Sequence, residues 1–145
     1  MANAEELLDR WLAAFNNGQM ESFEAFMSPT AMIEEVGTHQ TFGQKEVTHA
    51  AQVWKQAFPD FVGAIVNKVA SGNQVVGEIV WTGTNTGSFN GMPPSGKDVR
   101  VCGIAVLTED RGRAEFLRLY VDVAGLLEQI GSAPMLTSPP ATVTA

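Results

Sequence analysis

The sequence predicts an α+β domain in which N-terminal helices pack on one face of a strongly curved antiparallel sheet, a cone (α+β barrel) around an internal pocket. Three observations carry this expectation. Up to Pro59, apolar residues recur at spacings of three and four. After Pro59 the chain turns to β-branched runs separated by turn residues. Its 145 residues are the usual size of one domain, enough to bury roughly 68–70% of the surface exposed by the unfolded chain. No internal repeat is visible.

Leu7, Leu8, Trp11, Leu12 and Phe15 mark one face of a helix over residues 4–16, and NNG at 16–18 ends it because Gly accepts the left-handed position after a helix. A second, short helix is expected in MESFEAFM (20–27), with Phe23, Phe26 and Met27 inward and Ser28 and Pro29 closing it. TAMIEEV (30–36) reads as a short strand. Gly43 precedes a third helix, in which Val47, Ala50, Ala51, Trp54 and Phe58 share a face until Pro59 stops it. Strands are then expected in FVGAIVNKVA (61–70), QVVGEIVWTGTNT (74–86), DVRVCGIAVLTE (98–109) and RAEFLRLYVD (113–122). Their links, SGN, the long GTNTGSFNGMPPSGK (83–97) and EDRG, are hairpin-like, so the strands should form an antiparallel meander. VAGLLEQIG (123–131) is a short helix. Residues 132–145, rich in Pro, Ser, Thr and Ala, are expected to be a disordered tail after a single domain over 1–131.

A formal net charge of −7 and a pI near 4.7 argue against nucleic acid and anionic membrane as partners, since both need a basic face. An uncharged small molecule fits better. Cys102 is the single cysteine, which leaves no intramolecular disulfide, and His39 and His49 have no ligand-like spacing with any other His or Cys, so no metal site is expected. The start MANAEELLDRW lacks the regions of a signal peptide, and no apolar run approaches the ~20 residues of a bilayer span. A cytoplasmic protein is the expectation. There is also no phosphate loop, no dinucleotide fingerprint, no nucleophile elbow and no H-E-x-x-H.

FPDF at 58–61, GNQVV at 72–76, GTNTGSFNGMPPSGK at 83–97, and a strand ending in Asp122 followed by VAGLLEQIG occur in the order and spacing of one family's pattern. On these motifs, over roughly residues 43–131, the chain resembles the SnoaL-like polyketide cyclases. The resemblance implies the cone shared with ketosteroid isomerase, scytalone dehydratase and limonene epoxide hydrolase, usually as a homodimer or tetramer and without any cofactor. It also implies, for some members, intramolecular aldol closure of the last ring of an aromatic polyketide with an aspartate as acid/base. Asp122 matches that aspartate. In two places the chain departs from the pattern: Asn85 stands at the histidine of GTHTG, and Arg118 stands where an aromatic residue is common.

Alternation along the last strand puts Asp122 on one face with Tyr120, Arg118 and Phe116, and Leu117, Leu119 and Val121 on the other. The mixed face is read as pocket and the apolar one as convex surface covered by a second subunit. Asp122 is then the candidate acid/base, desolvation raising its pKa toward the working range, unless it merely caps the helix that follows. Arg118 either pairs with Asp122 or binds an enolate oxygen, and Tyr120 donates to an oxyanion or packs. Asn85 keeps only hydrogen bonding to substrate or a turn role. Glu34 and Glu35 alternate in direction, so one of them faces the pocket as a second carboxylate, with Glu34 carried as the candidate. Phe116, Trp54, Trp81, Met32 and Phe15 complete the expected pocket wall. Three functions stay open: aldol cyclisation at Asp122, opening of an epoxide by Asp122 with Arg118, and a non-catalytic dimeric module that binds a small apolar ligand.

Overall fold

The computed structural model describes residues 1–131, and the expected tail at 132–145 lies outside the described residues. Helix α1 spans Ala4–Asn16 and buries Leu7, Leu8, Trp11, Leu12 and Phe15, the stripe its sequence carries. Asn3 caps its start by accepting from the Glu6 N–H at 2.9 Å, and Gly18 sits at φ 66° just beyond its end. The second helix is a single turn, α2, Glu21–Glu24. Met27 belongs instead to strand β1, Met27–Glu35, which starts three residues earlier than its sequence pattern indicates. Strand β2, Gln40–Gly43, was not legible as a strand. A 3-10 turn at Gln44–Glu46 leads into α3, Val47–Ala57.

Strands β3, Val62–Ser71, β4, Gln74–Thr84, β5, Asp98–Asp110, and β6, Arg113–Val121, form the expected antiparallel meander. Helix α4, Val123–Gln129, follows β6. The six-stranded sheet has the order β2-β1-β6-β5-β4-β3 and is curved but not closed. Its one parallel ladder joins β1 to β6, with Ile33 opposite Leu117 and Glu35 opposite Leu119. That ladder is possible because the whole of α3 and the meander separate the two strands in sequence, the long connection a parallel pair needs.

Strands β4 and β5 alternate between a buried inner face and an outer one, whereas β3, at the sheet edge, buries only Gly63. Val75, Ile79 and Trp81 of β4, Val99, Val101, Ala105 and Leu107 of β5, and Leu117 of β6 are buried against the helices. Gly63 and Gly77 mark where α1 lies closest, since a Cβ at either would strike Leu12 or Leu8.

Two family motifs hold the sheet's ends. In FPDF, Phe58 and Phe61 are buried, while Asp60 accepts from the Thr84 N–H at 2.7 Å and its hydroxyl at 2.9 Å, pinning the end of β4. These hydrogen bonds, the backbone one first, hold the Asp60 carboxyl below its ordinary pKa. Gln129 of α4 accepts from the Arg100 N–H at 2.8 Å and donates to its carbonyl at 3.0 Å, so the glutamine acts as a strand residue pairing with β5.

Candidate active site

Inside the cone, α1, α3 and the concave sheet face enclose a cavity lined by Phe15, Trp54, Phe61, Trp81, Leu119 and Glu35, among others. Its walls are aromatic and tightly braced. Trp54 stacks on Phe61 with ring centroids 5.8 Å apart and 8° between planes, and Phe61 stacks on Trp81 at 5.3 Å and 16°. Phe15 meets the edge of Trp81 at 5.1 Å. Trp54, Trp81 and Phe15 therefore stand where the sequence places them.

Glu35 is the one ionisable side chain on this lining among the described residues. It ends β1, between Gln40 of β2 and Leu119 of β6, and the turn that follows folds back onto it. Thr38 Oγ1 donates to Oε1 at 2.9 Å, and the Trp54 indole N–H donates to Oε2 at 3.2 Å. Burial pushes the carboxyl's pKa up, against the smaller opposing pull of the Thr38 and Trp54 hydrogen bonds. A half-buried carboxyl with a raised pKa and both oxygens positioned is the equipment of a general acid/base.

The mixed face of β6 is corrected by the structure. Leu119 and Val121 line the cavity and Leu117 is buried in the core, whereas Phe116, Arg118 and Tyr120 point to the outer face of the sheet. The pocket of this chain is apolar, so the rule that the more polar face lines the pocket points the wrong way. Arg118 donates to Glu34 Oε1 at 2.9 Å on that outer face and lies over the Phe116 ring at 4.9 Å. Glu34, Met32 and Tyr120 share this outer surface, with Met32 41% and Tyr120 42% exposed.

Asp122 is exposed outside the cavity, in an open groove that it shares with Tyr120 and Ile104. It caps α4, its Oδ1 accepting from the Gly125 N–H at 2.9 Å. The glycine of D-x-x-G has its reason here: a Cβ on Gly125 would collide with the Asp122 carboxyl. No pair of Asp122 with Arg118 forms, because Arg118 is engaged by Glu34, so the pair required for epoxide opening is missing from the cavity.

Asn85 is fully buried and its amide is saturated. It donates to the Ala57 carbonyl at 3.2 Å and the Gly87 carbonyl at 2.9 Å, and accepts from both the N–H and the hydroxyl of Ser95 at 2.9 Å. With its capacity spent inside the loop, Asn85 fastens residues 85–97 to the end of α3 and does not reach the cavity. Gly87 completes the joint, donating to the Ala57 carbonyl at 3.1 Å where a Cβ would run into the Gln56 carbonyl. Beyond it, Asn90 at φ 48° and Gly91 at φ 83° turn a miniature hairpin whose ends, Phe89 and Met92, exchange hydrogen bonds of 3.0 and 2.9 Å. Phe89 packs against Trp54 at 5.2 Å.

Thr38 and the wall residues Ile33, Phe42 and Val47 are site residues that the sequence reading did not include, and of the two glutamates it weighed, Glu35 and not the carried Glu34 faces the cavity. The signal in β1 is divided: Ala31 and Ile33 share strand parity with Glu35, while Met32 is apolar on the side of Glu34.

The family model for SnoaL-like polyketide cyclases matches residues 5–130. The chain belongs to the SnoaL-like polyketide cyclase family. Solved structures of similar fold include a SnoaL-like polyketide cyclase candidate from Jannaschia sp. CCS1, with TM-score 0.81, 24% identity, and coverage of 90% of this chain and 92% of that one. AclR, a hydroxylase candidate from Streptomyces galilaeus, superposes with TM-score 0.79 at 21% identity, over 90% and 97% of the two chains. IdmH, a polyketide cyclase candidate from Streptomyces antibioticus, does so with TM-score 0.79 at 23% identity, over 88% and 98%. At these identities the likeness is one of fold. No curated protein sequence matches the chain. Among the described residues no helix is long and apolar enough to cross a membrane.

Proposed function

We propose that this SnoaL-like protein is an enzyme that cyclises a carbonyl-rich, polyketide-like small molecule by intramolecular aldol addition, with Glu35 as the acid/base and no cofactor. The single observation that supports it most is Glu35 itself, the carboxyl on an otherwise apolar cavity, held by Thr38 and Trp54 with its pKa raised by burial. In the proposed step the Glu35 carboxylate takes a proton from a carbon between two carbonyls, leaving an enolate. The enolate carbon bonds to a second carbonyl carbon of the same molecule, and the alkoxide so formed recovers the proton from the Glu35 carboxylic acid. Atoms balance without loss of water. General acid/base action of this kind is worth ~10²–10⁴ in rate, and the doubly activated carbon of the substrate supplies its own acidity.

Glu35→Gln keeps the shape and the hydrogen-bonding capacity of the side chain but cannot move the proton. Poly-β-ketone turnover should fall at least a hundredfold while binding persists. Turnover equal to the parent would refute Glu35 as the acid/base, and binding without turnover in the parent protein would leave the module reading in its place.

The assembly proposal moves to the other side of the sheet. Met32, Val66, Val69, Val76, Ile104 and Tyr120 are exposed on the outer face, an apolar surface of the kind a second copy covers, whereas Leu117, Leu119 and Val121 are taken up inside. Homodimerisation through that face predicts that Ile104→Lys yields a folded monomer in sedimentation at micromolar concentration. A parent protein that is already monomeric there would refute it.

A further inference from the structure

Glu35 stands where three cavities meet: the inner one, one beside α3, and an open groove on the outer side of the β1–β2 edge. Ionisable groups surround it on both open sides. Glu46 and His49 share the cavity beside α3 with it, and Glu34, His39, Arg118 and Tyr120 share the groove. Among the described residues none of these hydrogen-bonds to Glu35; the Thr38 hydroxyl and the Trp54 indole do.

The two donors are held differently. Trp54 is braced by aromatic contacts, with Phe61 at 5.8 Å and Phe89 at 5.2 Å. Thr38 rides on the link between β1 and β2, residues 36–39. Two hydrogen bonds pin the backbone of that link: the Val36 N–H donates to the Leu119 carbonyl at 2.9 Å, and the His39 N–H to the Val36 carbonyl at 3.3 Å, with His39 at φ 56°. Between them Gly37 comes down on the junction of β6 and α4. A Cβ at this position would stand 2.6 Å from Val123 Cγ2 and 2.8 Å from the Val121 carbonyl oxygen, closer than Cβ atoms approach other groups. Gly37 does not take a positive φ, so the position requires the absence of a side chain and not a left-handed backbone.

Which partner would yield to a side chain is settled by how each is anchored. Val123 is β-branched and stiff at χ1, and the Val121 carbonyl is backbone. Helix α4 is fixed by the buried Leu126 and by Gln129 pairing with β5, whereas Gly37 is exposed. The link would therefore lift, carrying Thr38 with it.

We propose that Gly37 is a positioning residue: seated on the Val121 carbonyl and the Val123 side chain, it sets the Thr38 hydroxyl on Glu35 Oε1. Its consequence for catalysis rests on the reading of Glu35 as the acid/base; the placement of Thr38 does not.

The test is ¹³C NMR titration of labelled glutamate carboxyls in the full-length protein, beside the pH profile of kcat/KM. Gly37→Ala lengthens the Thr38 bond, which favours the carboxylate, so Glu35 should titrate at higher pH by about one pH unit, a tenfold change in the ratio of ionised to neutral carboxyl. Gly37→Ala combined with Thr38→Val should titrate with Thr38→Val alone, because both act through one bond. Adding Val123→Ala to Gly37→Ala makes room for the new methyl and should return part of the displacement. Val123→Ala alone takes away the wall on which the link lies and should move Glu35 in the same direction by less; it carries the test if Gly37→Ala does not fold. A Glu35 titration unmoved in every folded variant, or displacements of Gly37→Ala and Thr38→Val that add, overturns the assignment. An acid limb of kcat/KM that fails to follow a displaced titration overturns Glu35 as the base and leaves Gly37 as the residue that positions Thr38.

Discussion

Replacing Thr38 by Val removes a hydroxyl of nearly the same shape and takes one hydrogen bond from Glu35 Oε1, the 2.9 Å contact from Thr38 Oγ1. That bond favours the ionised carboxylate, and burial favours the neutral acid. Hydrogen bonds to charged groups are worth about 1.5–3 kcal/mol. The half-buried position of Glu35 leaves water some access, so the lower end applies, and about 1.4 kcal/mol is a tenfold change in the ratio of ionised to neutral carboxyl. Catalysis that begins with the carboxylate must then show an acid limb displaced to higher pH, with the rate at a fixed pH on that limb about tenfold lower and the plateau unchanged. The pH profile of kcat/KM measures this, and ¹³C NMR titration of labelled glutamate carboxyls measures the same displacement without a substrate. Trp54→Phe deletes the longer 3.2 Å bond and should shift the limb in the same direction by less. A limb that stays in place, or moves to lower pH, would refute Glu35 as the titrating base.

The remaining predictions concern stability and the displaced candidates. Because the folded-state pKa of Glu35 is raised, its favourable contribution is complete below the ordinary glutamate pKa and is lost as pH rises through the folded value. Glu35→Gln should therefore match the parent's urea midpoint near pH 4 and exceed it at pH 8; a variant that is less stable at pH 8 would contradict a carboxyl whose ionised form is penalised by burial. Asn85→Ala removes four hydrogen bonds, to the Ala57 and Gly87 carbonyls and from both donors of Ser95, and at about 0.5–1.5 kcal/mol per bond it should cost roughly 2–6 kcal/mol in denaturant unfolding. Its KM should not change, and a raised KM with unchanged stability would return Asn85 to the substrate. Asp122→Ala should cost about 1 kcal/mol as a lost helix cap and leave kcat untouched, so a hundredfold fall in kcat at retained stability would restore the aspartate as catalyst.

The stripe of α1, the β-branched runs of β3 to β6, and the NNG, SGN and EDRG turns are local signals, written in residues near one another, and the elements formed where those signals stand. The family motifs were legible for the same reason, and their roles here are mostly architectural: Asp60 pins β4, Asn85 and Gly87 fasten the loop, Asp122 and Gly125 cap α4, and Gln129 pairs with β5. The short strand β2 carried too little pattern to be seen. The parallel pairing of β1 with β6 joins residues about 85 positions apart, such as Ile33 and Leu117, and no local period encodes such a contact.

Sequence alone determined the fold class, the order of the meander and the family. Alternation also separated the two faces of β6, but it cannot say which of two faces is the inside when the inside is itself apolar. Only the tertiary structure decided that. By pairing Glu35 with Leu119 and setting the Trp54 indole N–H on its carboxylate, it placed a carboxyl on the cavity at the end of β1 and left Asp122 outside at the end of β6, because a carboxyl's surroundings are set by what packs around it, and those neighbours come from β2, β6 and α3.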